Sequence, residues 1–343
     1  MIMKATRSFL FVVTIGLIVK NATMTSMRKE KKKDHHAQGS KRVVANPNDN
    51  AFANDINKCL FTKWTTASGS KDAVLSEPVQ CKGKGGTAVQ LCYGTAPPVA
   101  QFAVCYNTNT LIPDFTGHIV RRDIEGGGRD SDWRADVGQF APKTQSTIAD
   151  YDPYSQKGLY DNYDIRNQYF CAKGHLTPNA DFTNDDQRSL TMITTNIAPQ
   201  WQNFNSKNWA GLEEAVRTSA RNNQRDIYVF TGVGGRARNL TGDIIQLNKR
   251  VLAPRWYWKA VCDPGAKQSI VFLGENAIGI ADTTKVVGCN GTNQTKNAGI
   301  VYCYSLEGAR KKYPDFKWPS FNQNCKPSEK GTFMDNELRN AFA

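Results

Sequence analysis

Tyr169-Phe170-Cys171-Ala172-Lys173-Gly174-His175-Leu176-Thr177-Pro178-Asn179-Ala180-Asp181-Phe182 is the first of three linked stretches. After a short polar gap comes Thr195-Asn196-Ile197-Ala198-Pro199-Gln200-Trp201-Gln202-Asn203-Phe204-Asn205, and then Trp209-Ala210-Gly211-Leu212-Glu213-Glu214-Ala215-Val216-Arg217. The third stretch reads as a helix, because Trp209, Leu212 and Val216 recur at helical spacing. Asn205 stands just before it, where Asn is a good N-cap. A strand through the first stretch would aim positions 173 and 175 to the same side.

Outward from this centre, strands dominate. Gln101–Tyr106 and Leu111–Val120 read as a pair of strands joined by a turn at Asn107-Thr108-Asn109-Thr110. Asp226–Gly232 reads as a strand ended by glycine, and Trp256–Val261 and Ile270–Leu273 as two more. Between Cys59 and Tyr93, short apolar runs predict small strands, with a turn at Gly83, Gly85 and Gly86. Residues 121–165 are loop-rich. Their glycine run at Gly126, Gly127 and Gly128 has no Lys-Ser/Thr at Walker spacing and no strand-turn-helix around it, so it does not predict a phosphate loop. Helices are few, strands and helices do not alternate, and no internal repeat is evident. The expectation is an α+β fold, with a largely antiparallel central sheet and flanking helices.

The organisation expected along the 343 residues is a leader at 1–22, a basic arm at 23–58, a small Cys-bounded subdomain at 59–100, a main domain at 101–325 and a polar tail at 326–343. Lys4 and Arg7 precede an apolar run from Phe9 to Val19, which suits a secretory signal and is short for a bilayer span. Ala22 is a candidate cleavage position, although Lys20 is a poor residue three places from the cut, and an uncleaved anchor is the minority reading. The arm carries Arg28, Lys29, Lys31, Lys32, Lys33, Lys41 and Arg42 with too little apolar content to bury. It would serve either to capture polyanions or as a solvated tail. A net charge of +13 and a pI near 9.3 favour a polyanionic partner: nucleic acid, a heparin-like sugar or an anionic membrane.

Nine cysteines are present. None form C-x-x-C pairs, which argues against zinc and, with a secretory leader, for disulfides. Cys59, Cys81, Cys92 and Cys105 form an early group and Cys262, Cys289, Cys303 and Cys325 a late one. Pairing is expected within each group, with individual bridges unassigned and Cys171 free. Asn21, Asn239, Asn290 and Asn293 begin N-x-S/T sequons, and those beyond the leader could carry glycans.

Four histidines are present. His35 and His36 lie in the arm, and His118 lies inside an expected strand, where a structural role fits it. His175 is left as the candidate base, since an imidazole can take a proton from water near neutral pH. Gly174 permits close approach of backbone and ligand, and Pro178 stiffens the following turn. Asn205, Glu213 and Arg217 fall near one helical stripe. Their plain reading is a cap followed by a Glu–Arg pair. Their chemical reading is an amide oxygen, a carboxylate and a guanidinium along one edge. Mg²⁺ takes oxygen ligands and keeps several waters, so Asn205 would ligate it directly and Glu213 would hold one of its waters.

These residues resemble the DNA/RNA non-specific endonuclease family, which has the ββα-metal fold. Its signature is Asp-Arg-Gly-His-x-x-Pro, then Asn-x-x-Pro-Gln, then an Asn before a helix bearing Glu and Arg. Gly174, His175 and Pro178 match the first part, Asn196, Pro199 and Gln200 the second, and Asn205, Glu213 and Arg217 the third. The runs Gly174–Phe182 and Ala198–Asn205 look most like the secreted arthropod branch, which includes double-strand-preferring, digestive and salivary nucleases.

The resemblance implies cleavage of DNA and RNA backbones without sequence readout, leaving 5′-phosphate ends, with Mg²⁺ as cofactor and Mn²⁺ an alternative. It implies His175 as general base, Asn205 and Glu213 at the metal, and Arg217 and Lys173 on the phosphoryl oxygens and the bound nucleic acid. Gly174, Asn196 and Pro178 support them. The chain departs from the signature where Ala172 replaces Asp and Lys173 replaces Arg. Lys keeps the charge but loses the bidentate fork. That departure sets the alternative: a secreted, sequence-independent nucleic-acid-binding protein with weak or vestigial cleavage. A heparin-like-sugar-binding protein would explain the charge but not the motif.

Overall fold

The computed structural model describes residues 50–83, 86–95, 99–125, 132–328 and 333–342. The expected leader, the basic arm as far as residue 49 and the glycine run 126–128 lie outside the described residues, as do Gly85 and part of the polar tail. Among the described residues, no helix is long and apolar enough to cross a membrane.

One large sheet carries the fold. Its strands are β1 (Ala88–Gly94), β2 (Ala100–Asn107), β3 (Ile112–Val120), β6 (Ile227–Gly234), β9 (Trp256–Asp263), β10 (Gln268–Glu275) and β13 (Val301–Tyr304), neighbours in that order and all antiparallel. Two-residue β14 (Lys326–Pro327) adds to β10 in parallel. Small ladders β7–β8 (Gln246–Leu247, Val251–Leu252) and β11–β12 (Lys285–Val287, Asn293–Thr295) stand apart. The α+β, largely antiparallel expectation holds.

Between β3 and β6 the chain leaves the sheet. It forms a separate hairpin, β4 (Cys171–His175) with β5 (Ile197–Trp201), and then a helical run. This strand–strand–helix unit is the ββα element. It packs on one face of the sheet, where Trp201, Phe204, Trp209, Leu212 and Val216 meet Ile227, Val229, Tyr257 and Val261. Strand side chains alternate between faces, so the intervening Tyr228, Phe230, Trp258 and Ala260 face the other way, onto Ile56, Phe61 and Trp64. Two cores thus share one sheet.

The structure corrects three expectations of local structure. Residues 56–68 are helical, where 56–58 were expected in the basic arm and 59–68 as strands: α1 (Ile56–Cys59), capped by Asp55 and with Ile56 buried, leads into turns at Phe61–Trp64 and Thr66–Ser68. Phe61 and Trp64, one 3₁₀ turn apart, thereby bury together against Phe230. Strand β6 does not end at Gly232 but runs to Gly234. A side chain at Gly232 would collide with Trp258, and one at Gly234 with Phe316. Asn205 is not an N-cap. The helical run starts earlier: after α2 (Asp185–Thr191), α3 (Gln202–Phe204) follows Trp201 without a side-chain cap and passes through a π-turn at Asn205–Trp209 into α4 (Ala210–Asn223).

Four disulfides, Cys59–Cys92, Cys81–Cys105, Cys262–Cys325 and Cys289–Cys303, pair within the early and late groups, and Cys171 is free and buried. The early pair bonds the Cys-bounded stretch to β1 and β2. The late pair anchors the C-terminal segments to β9 and β13.

Candidate active site

Strand β4 carries Lys173 and His175, and it needs glycine between them. A Cβ on Gly174 would overlap Cβ and Oε1 of Gln200 and stand 2.8 Å from the Tyr257 hydroxyl. That hydroxyl donates to the carbonyl of Ala198 at 2.9 Å, so Tyr257 ties the hairpin to the sheet directly beneath Gly174. Asn276 reinforces the same junction: it donates to the Pro199 and Pro254 carbonyls and accepts from the Trp201 amide.

The loop after His175 is held by Asn196. Its carbonyl oxygen accepts from Thr177 N at 3.0 Å, and its amide donates to the carbonyls of Thr177 and Thr191. The Thr177 hydroxyl reaches Thr116 Oγ1 on β3 at 2.8 Å. Asn196 is fully buried, so its three bonds satisfy backbone groups that water cannot reach. It is a scaffold for the turn at Pro178.

His175, Pro178, Asn205, Glu213 and Arg217 line one cleft of about 360 Å³, together with Asn179, Ala180, Gln202, Ser206 and Ala210. They come from β4, the loop behind it, the π-turn and α4. Lys173 does not line this cleft. Its ammonium lies 5.5 Å from the centre of the Trp133 ring, and the same indole lies 4.8 Å from the His175 imidazole at 31°. The cation therefore stands beside the base across a shared aromatic ring.

Arg217 is 8 % exposed and Asp181 3 %. Nη1 of Arg217 donates to Asp181 Oδ1 at 2.8 Å, Nε donates to Glu214 Oε2 at 3.0 Å, and Nη2 stands in an ion pair 2.9 Å from the same Glu214 oxygen. The Glu–Arg pair on the helix is thus Glu214 with Arg217, which leaves Glu213 to the cleft. A guanidinium has five N–H donors, so each Nη retains one for a bound anion. Burial pushes the Asp181 carboxyl up, but the His118 hydrogen bond and the Arg217 charge outweigh it and hold it down at about 2. Burial lifts half-buried Glu213 to about 7, against the pull of Lys259 and Arg217. Lys259 is itself sealed, with its ammonium 2.6 Å from Thr231 Oγ1 and 5.5 Å from the Trp209 ring centre. Burial lowers its pKa, opposed by Glu213 and Asp181.

The donor set suits a hard divalent cation. Among the described residues, no cluster of three His, Cys, Asp or Glu side chains could hold a metal ion. Mg²⁺ does not require one, since it keeps most of its waters. Asn205 Nδ2 donates to Gln202 Oε1 at 3.5 Å, and among the described residues no hydrogen bond takes up Oδ1. An amide oxygen and the Glu213 carboxylate thus line the same cleft, which are the oxygen donors such an ion selects.

Sequence reading missed Trp133, Asp181 and Lys259. Nothing local marks Trp133, which comes from a stretch with no periodicity. A signal did exist for the buried polar seam. Thr116 and His118 on β3, Thr231 on β6 and Lys259 on β9 are polar residues inside apolar strands, all on the face that receives the ββα element. Polar side chains at core positions of neighbouring strands mark the place where a site is supported.

The family model described as DNA/RNA non-specific endonuclease matches residues 93–308. A salivary endonuclease of Lutzomyia longipalpis is 36% identical over 111 residues, which cover 31% of this chain and 27% of that protein. A salivary endonuclease of Culex quinquefasciatus is 29% identical over 133 residues, covering 38% of this chain and 35% of that one. The matched part therefore spans about a third of these relatives' length. A solved structure of EndoG in complex with EndoGI aligns with a TM-score of 0.39 at 19% identity, over 53% of this chain and 74% of that one. That likeness is too distant to carry an argument. With the family match spanning β2 to β13 and the whole cleft, the chain belongs to the DNA/RNA non-specific endonuclease family.

Proposed function

We propose that this chain is a secreted, metal-dependent endonuclease that hydrolyses phosphodiester bonds of DNA and RNA without reading sequence. The observation that carries the reading is the meeting of His175, Asn205, Glu213 and Arg217 in one cleft. In this reading residues 101–325 carry the nuclease and 59–100 form an N-terminal subdomain joined to it through β1. The apolar run Phe9–Val19 behind Lys4 and Arg7, expected as a leader, and the salivary relatives support secretion.

Asn205 and Glu213 would hold Mg²⁺ or Mn²⁺. When bound, the ion would supply Lewis acidity at the phosphoryl group and neutralise charge on the departing 3′ oxygen. His175 takes the proton of the attacking water as its oxygen bonds to phosphorus. The P–O3′ bond breaks with its electron pair on O3′, which takes a proton from solvent, so that a 5′-phosphate and a 3′-hydroxyl remain and His175 returns its own proton to solvent. The remaining N–H groups of Arg217 donate to the phosphoryl oxygens as charge grows there. Trp133 fixes the plane of the imidazole, and Lys173 adds positive charge beside it. Contacts of this kind are to the backbone, which explains indifference to sequence.

A second reading, sequence-independent nucleic-acid binding with weak cleavage, is favoured by one observation. Lys173 stands over Trp133 and not in the cleft, so among the described residues Arg217 is the one Lys or Arg that lines the cleft. Incubating the protein with duplex and single-stranded DNA and RNA, in Mg²⁺ or in EDTA, separates the two. Products in Mg²⁺ alone support the nuclease. Salt-sensitive binding without products supports the second reading.

A further inference from the structure

We infer that His118, in the sheet beneath the cleft, is a positioning residue for the reaction: its hydrogen bond to Asp181 fixes the carboxylate that aims Arg217 into the cleft. This rests on the reading of the cleft as a phosphodiesterase site.

His118 is fully buried on β3, and its Nε2 stands 2.7 Å from Asp181 Oδ2. The other carboxylate oxygen, Oδ1, receives Arg217 Nη1 at 2.8 Å. Asp181 is therefore held from both sides, and rotating its carboxylate breaks one bond or the other. Asp181 is ionised, so the proton between the two groups is on His118 Nε2. Among the described residues, the opposite ring nitrogen, Nδ1, has no hydrogen-bond partner. A bare lone pair in that position costs less than an unmatched N–H, which fixes the tautomer. Burial lowers the imidazole pKa, against the Asp181 bond and charge.

What the bond prevents follows from the geometry of guanidinium. A free carboxylate draws Arg into a bidentate, fork-to-fork pair. With Oδ2 unclaimed, Arg217 would take both Asp181 oxygens and draw back from the cleft. His118 occupies Oδ2, so Arg217 is limited to one oxygen and its outer donors stay with the substrate. A histidine that only filled space would have no such consequence: an apolar side chain of similar size would serve equally well.

The test uses the full chain with duplex DNA in Mg²⁺. His118→Leu removes the donor. His118→Gln keeps a donor amide near the Nε2 position. His118→Leu is expected to lower kcat about tenfold with KM within about twofold, and His118→Gln to restore kcat to within about threefold of wild type, since aim and not binding is lost. A ¹⁵N NMR readout of the Arg217 Nε–H should move in His118→Leu and stay near its original position in His118→Gln. If His118→Leu does not fold, His118→Met replaces it. Full kcat in the apolar variant, or an equal fall in the Leu and Gln variants, would overturn the inference. If Arg217→Ala and His175→Ala both remain fully active, the reading of this cleft as the phosphodiesterase site has failed instead, and an unmoved Arg217 signal in the apolar variant would then overturn the role of His118 independently.

Discussion

The indole of Trp133 lies 4.8 Å from the imidazole of His175, inclined at 31°, and carries the Lys173 ammonium on the same ring. A base on a short hairpin strand is thereby pinned by a residue from a distant loop. Rate depends on such alignment more than binding does, because only the aligned imidazole reaches the attacking water. Trp133→Ala is expected to lower kcat by about tenfold with little change in KM, and Trp133→Phe, which keeps an aromatic face, to retain most of it. Equal rates for the Ala variant and wild type would contradict a positioning role.

Gly174 is the tightest point of the hairpin. Gly174→Ala places a methyl on the Gln200 side chain and the Tyr257 hydroxyl, neither of which can retreat from a fully buried position. Overpacking of this kind costs about 1–3 kcal/mol. Thermal unfolding should show a lowered Tm, together with lost activity as β4 shifts away from β5. An unchanged Tm would mean that the hairpin is looser than its contacts indicate.

Asp181 makes stability depend on pH in a defined direction. Its carboxyl is held at about 2 in the folded chain, below the unfolded value of about 3.9. A depressed carboxylate contributes stability that is fully present above the unfolded pKa and is lost as pH falls through the folded one. Asp181→Asn should destabilise by about 1–3 kcal/mol at neutral pH, because it removes the buried carboxylate and leaves Arg217 paired with the half-exposed Glu214. The gap between variant and wild type should narrow between pH 4 and pH 2, on the order of those two pKa values. A gap that stays constant down to pH 2 would argue against an ionised Asp181.

Lys173 occupies the position where the family signature has Arg. Lys173→Arg should raise kcat by up to about tenfold, equivalent to about 1.4 kcal/mol, because a planar fork can stack on Trp133 and still reach two phosphoryl oxygens. Paired kinetics on one duplex at saturating Mg²⁺ are the measurement. An unchanged or lower kcat with the fold intact would shift attention to Ala172.

The helix and the cleft-lining set were legible in the sequence because each carries a local pattern, and a strand through positions 173 and 175 was expected, but its partner β5 was not. The run from Lys173 to Pro178 has fixed spacing, and Trp209, Leu212 and Val216 mark the buried face of α4. The helix start was misplaced because a π-turn at Asn205–Trp209 breaks the regular period. The short apolar runs near Phe61 could not be told from strands by periodicity, since such runs suit either state. Trp133 was invisible for a different reason: its role exists only through tertiary contact. Asp181 and His118 were in view, but their pairing across the sheet depends on the register of β3 with β6 and the docking of the loop after Pro178, which no local pattern encodes.

The central claim is that His175 does the chemistry while many cations do the binding. Wild type and His175→Ala, each purified to homogeneity, should be compared for cleavage and for binding of the same duplex DNA in Mg²⁺ and in EDTA. Cleavage should vanish in the variant and in EDTA, while the variant's affinity and its steep salt dependence stay close to wild type. Undiminished, Mg²⁺-dependent turnover by His175→Ala would contradict the account.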